Sequence, residues 1–272
     1  MKSAVCTPDS RIALSCQIGA VKWLRWNADQ IAQARRQPVA FGGEKLPISF
    51  LKHADEQTVL ALWTVLEAIE TADLQDRSFD SWGVIASPSF FGRLSIAQSV
   101  RRYHQEGAWG ISPQLIPHQS LHAMSGTISQ ALRIHGPNFG VGAEPCAGPD
   151  ALLLAAAMLY DGQLPGLWLA LTGYETEWIP AADGQHPTAP ACQALAVALT
   201  PDENASGTRL RFGSAGPQAE KESPLEMSPA FSLELLAEEM SDPCRLPEGR
   251  WRLSDSHWIE FEAVLGVEKN LS

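Results

Sequence analysis

The sequence lacks most of what would tie it to a metal, a membrane or an oxidising compartment. It has five cysteines (Cys6, Cys16, Cys146, Cys192 and Cys244), and none forms a CxxC pair. An odd count without such pairs fits neither a zinc site nor a disulfide framework and points to a reducing compartment. No HxxxH or His/Cys cluster suggests a metal. Gly140 and Gly142 form a GxG without the third glycine of a dinucleotide loop, so no cofactor is expected. No apolar run approaches the roughly 18 residues that cross a bilayer. The N-terminus carries Asp9 and Arg11 and no long apolar stretch, which predicts no signal peptide, no membrane insertion and a cytoplasmic protein. No block of like charge, short-period repeat or low-complexity tract interrupts the chain.

What is present is ordinary in bulk. The 272 residues are 45% apolar and 19% charged, enough for one large domain, or two intertwined halves, around a sizeable core. The net charge is -11 and the pI about 5.1, so the surface repels phosphate backbones and nucleic acid is not an expected partner.

Periodicity gives the elements. Arg11 to Val21 reads as a first strand turning at Gly19. Lys22 to Pro47 is polar and irregular, broken at Gly42-Gly43. Ala54 to Ala72 places Val59, Leu60, Leu62, Trp63, Leu66 and Ile69 at helical spacing, with Asp55 and Glu56 at the dipole's positive end. Trp82 to Ala86 is a short strand, Leu94 to Glu106 a helix, Gly110 to Gln119 a loop, and Leu121 to Ile134 a buried helix. Further on, Ala194 to Leu199 is a strand to which Thr208 to Phe212 can pair. Gly213 to Pro229 is polar and Pro/Gly/Ser-rich, Phe231 to Met240 a helix, and Arg250 to Trp258 a final strand.

The most informative segment is Phe139 to Gly173. Phe139 to Ala143 can be a strand and Pro145 to Gly148 a tight connection. Pro149 suits a first helical turn, where its missing N–H costs nothing. Ala151 to Tyr160 is apolar nearly all round and demands burial on every side. Leu167 to Thr172 is a continuous apolar run, as in a parallel strand covered on both faces. Strand, sharp turn, buried helix and buried strand make a βαβ unit with its helix inside the protein.

The same segment, GPNFGVGAEPCAGPDALLLAAAMLYDGQLPGLWLALTGYE, resembles the nucleophile region of the β-ketoacyl synthases: Gly136-Pro137-Asn138, Gly148, the Ala-rich helix, Gly162, Gly173 and Glu175 keep its order and spacing. LHAMSGTISQALRI is similar to the helix before the nucleophile strand, and Ala191 to Leu199 with Arg209 to Phe212 looks like the hairpin closing the first half of that fold. The tail, with Gly249-Arg250-Trp251-Arg252, is similar to short chain-length-factor-like proteins. The resemblance implies an α/β thiolase-like mixed sheet with a buried central helix, essentially the N-terminal half of a ketosynthase plus a short truncated C-terminal part. Residues 1–214 would be the ketosynthase-like domain, 215–230 a linker, and 231–272 an extension packing on the same domain.

For chemistry the resemblance implies a Cys nucleophile and two His from the C-terminal half. The 59 residues after Gly213 contain one histidine, His257. An ungapped match places the family's Cys on Pro145, whereas a compensating shift restores Cys146 to the bend; a one-residue slip turns a side chain to the other face. On the first placement the chain is a non-catalytic subunit of chain-length-factor type, paired with an active ketosynthase or with itself through Phe139, Gly140, Val141, Gly142 and Ala143. His122, Met124 and Phe139 would then lie near an acyl tunnel, and Glu144 beside the bend would mimic a negative charge or face the partner. On the second it is a small acyltransferase using Cys146, with His122 preferred over His118 and His135 as its base. An acyl carrier protein is a further possible partner, disfavoured because both surfaces are acidic.

Overall fold

The computed structural model describes residues 14–113, 115–142, 147–176, 190–201, 207–214, 232–241, 250–252 and 257–264. In chain order they form β1 (Leu14–Trp26), α1 (Ala28–Ala34), the hairpin β2 (Ala40–Phe41) and β3 (Glu44–Lys45), α2 (Glu56–Thr71), β4 (Gly83–Pro88), α3 (Arg93–Glu106), a 3-10 turn (Gly107–Gly110) and α4 (Leu115–Gln119). Then come α5 (His122–Leu132), β5 (Asn138–Gly140), α6 (Ala147–Leu159), β6 (Leu167–Tyr174), β7 (Cys192–Pro201), β8 (Gly207–Ser214), α7 (Leu233–Ser241), β9 (Arg250–Arg252) and β10 (His257–Val264).

One eight-stranded sheet runs in the order β5-β4-β6-β7-β1-β8-β10-β9. Its β5-β4-β6 end is parallel and the rest antiparallel, so the sheet is mixed. Two hydrophobic clusters cover its faces. Residues of α1, α2 and α5 meet one face with Val84, Ala86, Trp168, Ala170, Ala194 and Ala196. Residues of α6 and α7 meet the other with Ile85, Leu169, Leu171, Leu195 and Val197. That alternation along β4, β6 and β7 is the period-two signature of strands buried on both sides. Phe79, Trp82 and Trp168 pack edge-to-face under α2 at 4.8 and 5.6 Å between ring centroids.

Several expectations need correction. Gly19 is not a turn: β1 runs through it, and the register with β7 slips between Ile18 and Ala20, so the residue marks a bulge. Gly42 and Gly43 sit at φ of 58° and 79°, the pair of left-handed conformations that a two-residue hairpin requires, and the irregular stretch around them holds α1 and that hairpin. A short helix, α4, lies in the predicted loop. β7 and β8 are not a hairpin: β1 lies between them and pairs with both. The final strand is two, β9 and β10. α6 buries Ala151, Leu152, Ala155, Ala156 and Leu159 against the sheet, while Leu153, Leu154 and Met158 are half-buried and Ala157 is exposed, so burial is narrower than all round.

Candidate functional site

The carboxyl ends of the three parallel strands define the region where α/β folds place their chemistry. Among the described residues β5 stands at the edge of the sheet, paired only with β4 through Val84–Asn138, Ile85–Phe139 and Ala86–Gly140. The pairing continues one residue further, where the Val141 N–H donates to the Ala86 carbonyl at 2.8 Å. Phe139 is 46% exposed beside this edge.

α5 lies across β5, and glycine makes that crossing possible. A Cβ on Gly140 would sit 2.1 Å from the Leu121 carbonyl oxygen and 2.9 Å from the His122 nitrogen. One on Gly142 would meet the Leu121 side chain at 2.9 Å. The structure therefore brings the His122 backbone to Gly140 and the Leu121 side chain to Gly142, while the His122 side chain is exposed at the start of α5. Ala143, Glu144, Pro145 and Cys146 lie outside the described residues. α6 begins directly after them, at Ala147, with Gly148 half-buried in its first turn. Near the carboxyl end of β4, Ser87 is 4% exposed opposite Leu171 of β6, and its hydroxyl has no hydrogen-bond partner among the described residues. His118 and His135 each have a partner elsewhere. His118 packs against His53 at 5.7 Å between rings, and desolvation followed by His53 holds its pKa below the usual histidine range. His135 pairs with Asp80 at 2.7 Å in the open.

A second feature opens at the same end of the sheet. A cavity of about 280 Å³ lies between the start of α2, the turn leading from β4 into α3, and Tyr174 at the end of β6. Its floor is a buried polar relay. The Thr172 hydroxyl donates to Gln57 Oε1 at 2.7 Å, and Gln57 Nε2 donates to the Ser89 carbonyl at 3.0 Å. Asp55 caps α2 by accepting the Gln57 N–H at 2.9 Å. Burial, then the neighbouring Glu56, pushes its carboxyl up to about 7. Burial also raises the Tyr174 phenol and the Cys192 thiol, each further raised by Asp55. Arg35 ties the wall together, bonding the Ala54 carbonyl at 3.0 Å and Glu56 at 3.2 Å. Sequence reading took Asp55 and Glu56 as helix-start residues only. The signal available was Asp55 followed two residues later by Gln57, a polar residue on the helix's apolar side.

Among the described residues no group of three or more His, Cys, Asp or Glu is placed to hold a metal ion, and no helix is long and apolar enough to cross a membrane.

A mixed sheet with a short parallel end and an apolar helix packed against one face is a thiolase-like α/β fold, similar to that of the N-terminal domain of the ketosynthases. The model of the "Beta-ketoacyl synthase, N-terminal domain" family matches residues 40–165. No curated protein sequence matches the chain. Among solved structures, a chain of a ketosynthase (ApeO) in complex with its chain length factor (ApeC) from Xenorhabdus doucetiae is similar at 15% identity and a TM-score of 0.56, over 92% of this chain and 99% of that one. A β-ketoacyl synthase from Burkholderia phymatum STM815 is similar at 11% identity and a TM-score of 0.52, over 84% and 69%. A type II polyketide synthase complex of acyl-carrier protein with its ketosynthase (AntDE:AntF) is similar at 14% identity and a TM-score of 0.51, over 77% and 71%. At these identities the likeness is one of fold.

Proposed function

We propose that the chain is a non-catalytic ketosynthase-like subunit of chain-length-factor type that pairs with an active ketosynthase in fatty-acid, polyketide or polyene biosynthesis. The observation that carries this is the open edge at β5. Its outer N–H and C=O groups face no strand among the described residues, and an exposed Phe139 stands beside them. An uncharged, unpaired edge is a template for another strand. The similar complex of a ketosynthase with its chain length factor supports that choice of partner. In this role residues 231–272 pack on the same unit as residues 1–214, and an acyl carrier protein reaches the pair through the ketosynthase. Co-expression with the ketosynthases of its own genome, followed by size exclusion, tests the pairing. A one-to-one complex that Phe139→Asp disrupts, with the variant chain still folded, is expected. Failure of every ketosynthase to co-elute would sink it.

A second reading keeps Cys146 as an acyl-accepting nucleophile, with His122 as its base. It is favoured by one observation: α6 starts at Ala147, and a helix N-terminus favours the thiolate of a cysteine beside it. Iodoacetamide separates the readings. Rapid, selective modification of Cys146 in the native chain supports the acyltransferase. Cys16 and Cys192 are buried and stay unmodified in either case.

A further inference from the structure

The large apolar side chains left in water are not scattered over the molecule. Six of the nine that are exposed among the described residues lie on one run of elements: Ile96, Val100 and Tyr103 on α3, Trp109 on the 3-10 turn, Leu121 at the start of α5 and Phe139 on β5. Those on α3 fall at i, i+4 and i+7, which is one face of a helix, and each is about half exposed. Trp109 is 99% exposed, against the strong burial usual for tryptophan. Clustered apolar exposure of this kind marks an interaction surface, whereas single exposed residues do not.

The surface is continuous with the β5 edge. A Cβ on Gly92, the residue before α3, would lie 3.4 Å from Ile96 Cδ1 and 3.3 Å from the Gln119 carbonyl oxygen, so Ile96 sits at the junction of α3 with α4. The Ser95 hydroxyl fastens that junction by donating to Gln119 Oε1 at 2.8 Å. Two residues after Gln119, the Leu121 carbonyl lies against Gly140, next to Phe139. At the other end of α3 the 3-10 turn folds back on the helix: a Cβ on Gly110 would meet Glu106 at 3.0 Å and the Arg102 carbonyl oxygen at 3.1 Å. Trp109 is thus carried on a tight turn backed by α3.

We propose that α3 and the 3-10 turn are the second half of the partner interface that begins at β5, with Trp109 as the anchor that a pocket of the ketosynthase receives. This rests on the pairing proposed above and adds where its affinity comes from. A stable complex covers roughly 800 Å² on each partner, about 20–30 residues a side. β5 has three residues and falls far short of that. A partner that adds a strand to β5 must cover more of the same side, and the adjoining apolar surface is the α3 stripe. Binding energy concentrates in buried aromatic anchors, tryptophan foremost. β5 therefore sets the register of the pairing, and Trp109 supplies most of its strength. A second copy would bring the same net charge of -11, and an anionic lipid surface is repelled by it, so neither is the favoured occupant.

Sedimentation equilibrium of the full chain with the ketosynthase that co-elutes with it tests this. Trp109→Ala should weaken the pairing by about thirtyfold, the loss that marks a hot spot. Val100→Asp, which sets a charge in the middle of the stripe, should weaken it at least as much. Tyr160→Ala and Leu235→Ala remove exposed apolar groups elsewhere on the chain and should leave it unchanged. All four side chains are exposed, so the variants keep the wild-type melting temperature. Hydroxyl-radical footprinting should oxidise Trp109 in the free chain and spare it in the complex. The inference is overturned, with the pairing itself intact, if Phe139→Asp breaks the complex while Trp109→Ala binds as wild type, or if Trp109 is oxidised equally in the complex. If no ketosynthase co-elutes, the pairing has failed and the inference falls with it. Trp109-dependent self-association of the chain alone, or Trp109-dependent sedimentation with vesicles of phosphatidylglycerol and phosphatidylcholine, would assign the surface to a different occupant and overturn it as well.

Discussion

Gly140→Ala should cost far more than a glycine-to-alanine change in an extended segment usually does. The added Cβ would lie 2.1 Å from the Leu121 oxygen, 2.3 Å from the Leu121 carbonyl carbon and 2.9 Å from the His122 nitrogen. All three are backbone atoms, so no side-chain rotation relieves the contact. Either the start of α5 lifts from β5 or β5 leaves β4. Overpacking of well-packed sites costs about 1–3 kcal/mol, and a clash with rigid backbone belongs at the top of that range. For a chain of this size about 3 kcal/mol lowers Tm by roughly 6–12 °C. Gly126→Ala is the matched control. It lies in the middle of α5, where a Cβ would sit 3.5 Å from His122 Nε2, an ordinary contact. There alanine should stabilise by about 1 kcal/mol through helix propensity. Thermal and urea melts of the two variants should read opposite signs at two glycines that both approach the start of α5. Equal, small effects would refute the close crossing of α5 over β5.

Two further outcomes follow from the cavity floor. Asp55 has a folded pKa near 7 against an ordinary 3.8, so the native state binds the proton more tightly than the unfolded one. Its contribution is present at low pH and is lost as pH rises between about 4 and 7. Glu239, raised to about 7 by burial, acts in the same sense. Comparing Tm against pH for wild type and Asp55→Asn isolates the Asp55 part, and an unchanged difference between pH 4.5 and 7.5 would contradict it. Gln57→Leu removes the acceptor of the buried Thr172 hydroxyl and should cost about 1–3 kcal/mol in urea unfolding. Adding Thr172→Val should recover part of that loss, as a double-mutant cycle for coupled partners requires.

The parts of this fold that were legible in the sequence are those whose signal is local. α2 was plain because its apolar residues repeat at helical spacing over 16 residues, and β6 because an unbroken apolar run needs cover on both faces. What failed was long-range. Nothing in Thr208 to Phe212 states that Leu14 to Ile18, nearly two hundred residues away, will enter between it and β7. The nearest predicted strand was a plausible partner, and a longer, bulged β1 displaced it. The edge at Phe139 was visible only through likeness to a known family, because a three-residue strand carries too few positions for a pattern. The cavity could not be seen at all. Its groups come from Arg35, the Lys52 to Gln57 stretch, Phe90 to Gln98, Gln119 and Tyr174, with no spacing that a motif would capture.

The two ends of the sheet are unequal, and this asymmetry bears on function. A sheet exposes hydrogen-bonding groups at both edges, and proteins that must not associate protect them with charge or with very short strands. Both edge strands here have three residues, so length does not separate them. Composition does. β9 reads Arg-Trp-Arg, a sequence with two like charges of the kind that discourages edge-to-edge pairing. β5 is Asn-Phe-Gly, with no charge and a half-exposed ring, followed by Val141 and Gly142. The Gly140 backbone lies against the start of α5 and pairs with Ala86 of β4. One edge strand thus carries charge in its sequence and the other carries none, at the parallel end of the sheet. A subunit that works by extending another protein's sheet, and by setting a wall beside that protein's reactive centre, needs its exposed edge there.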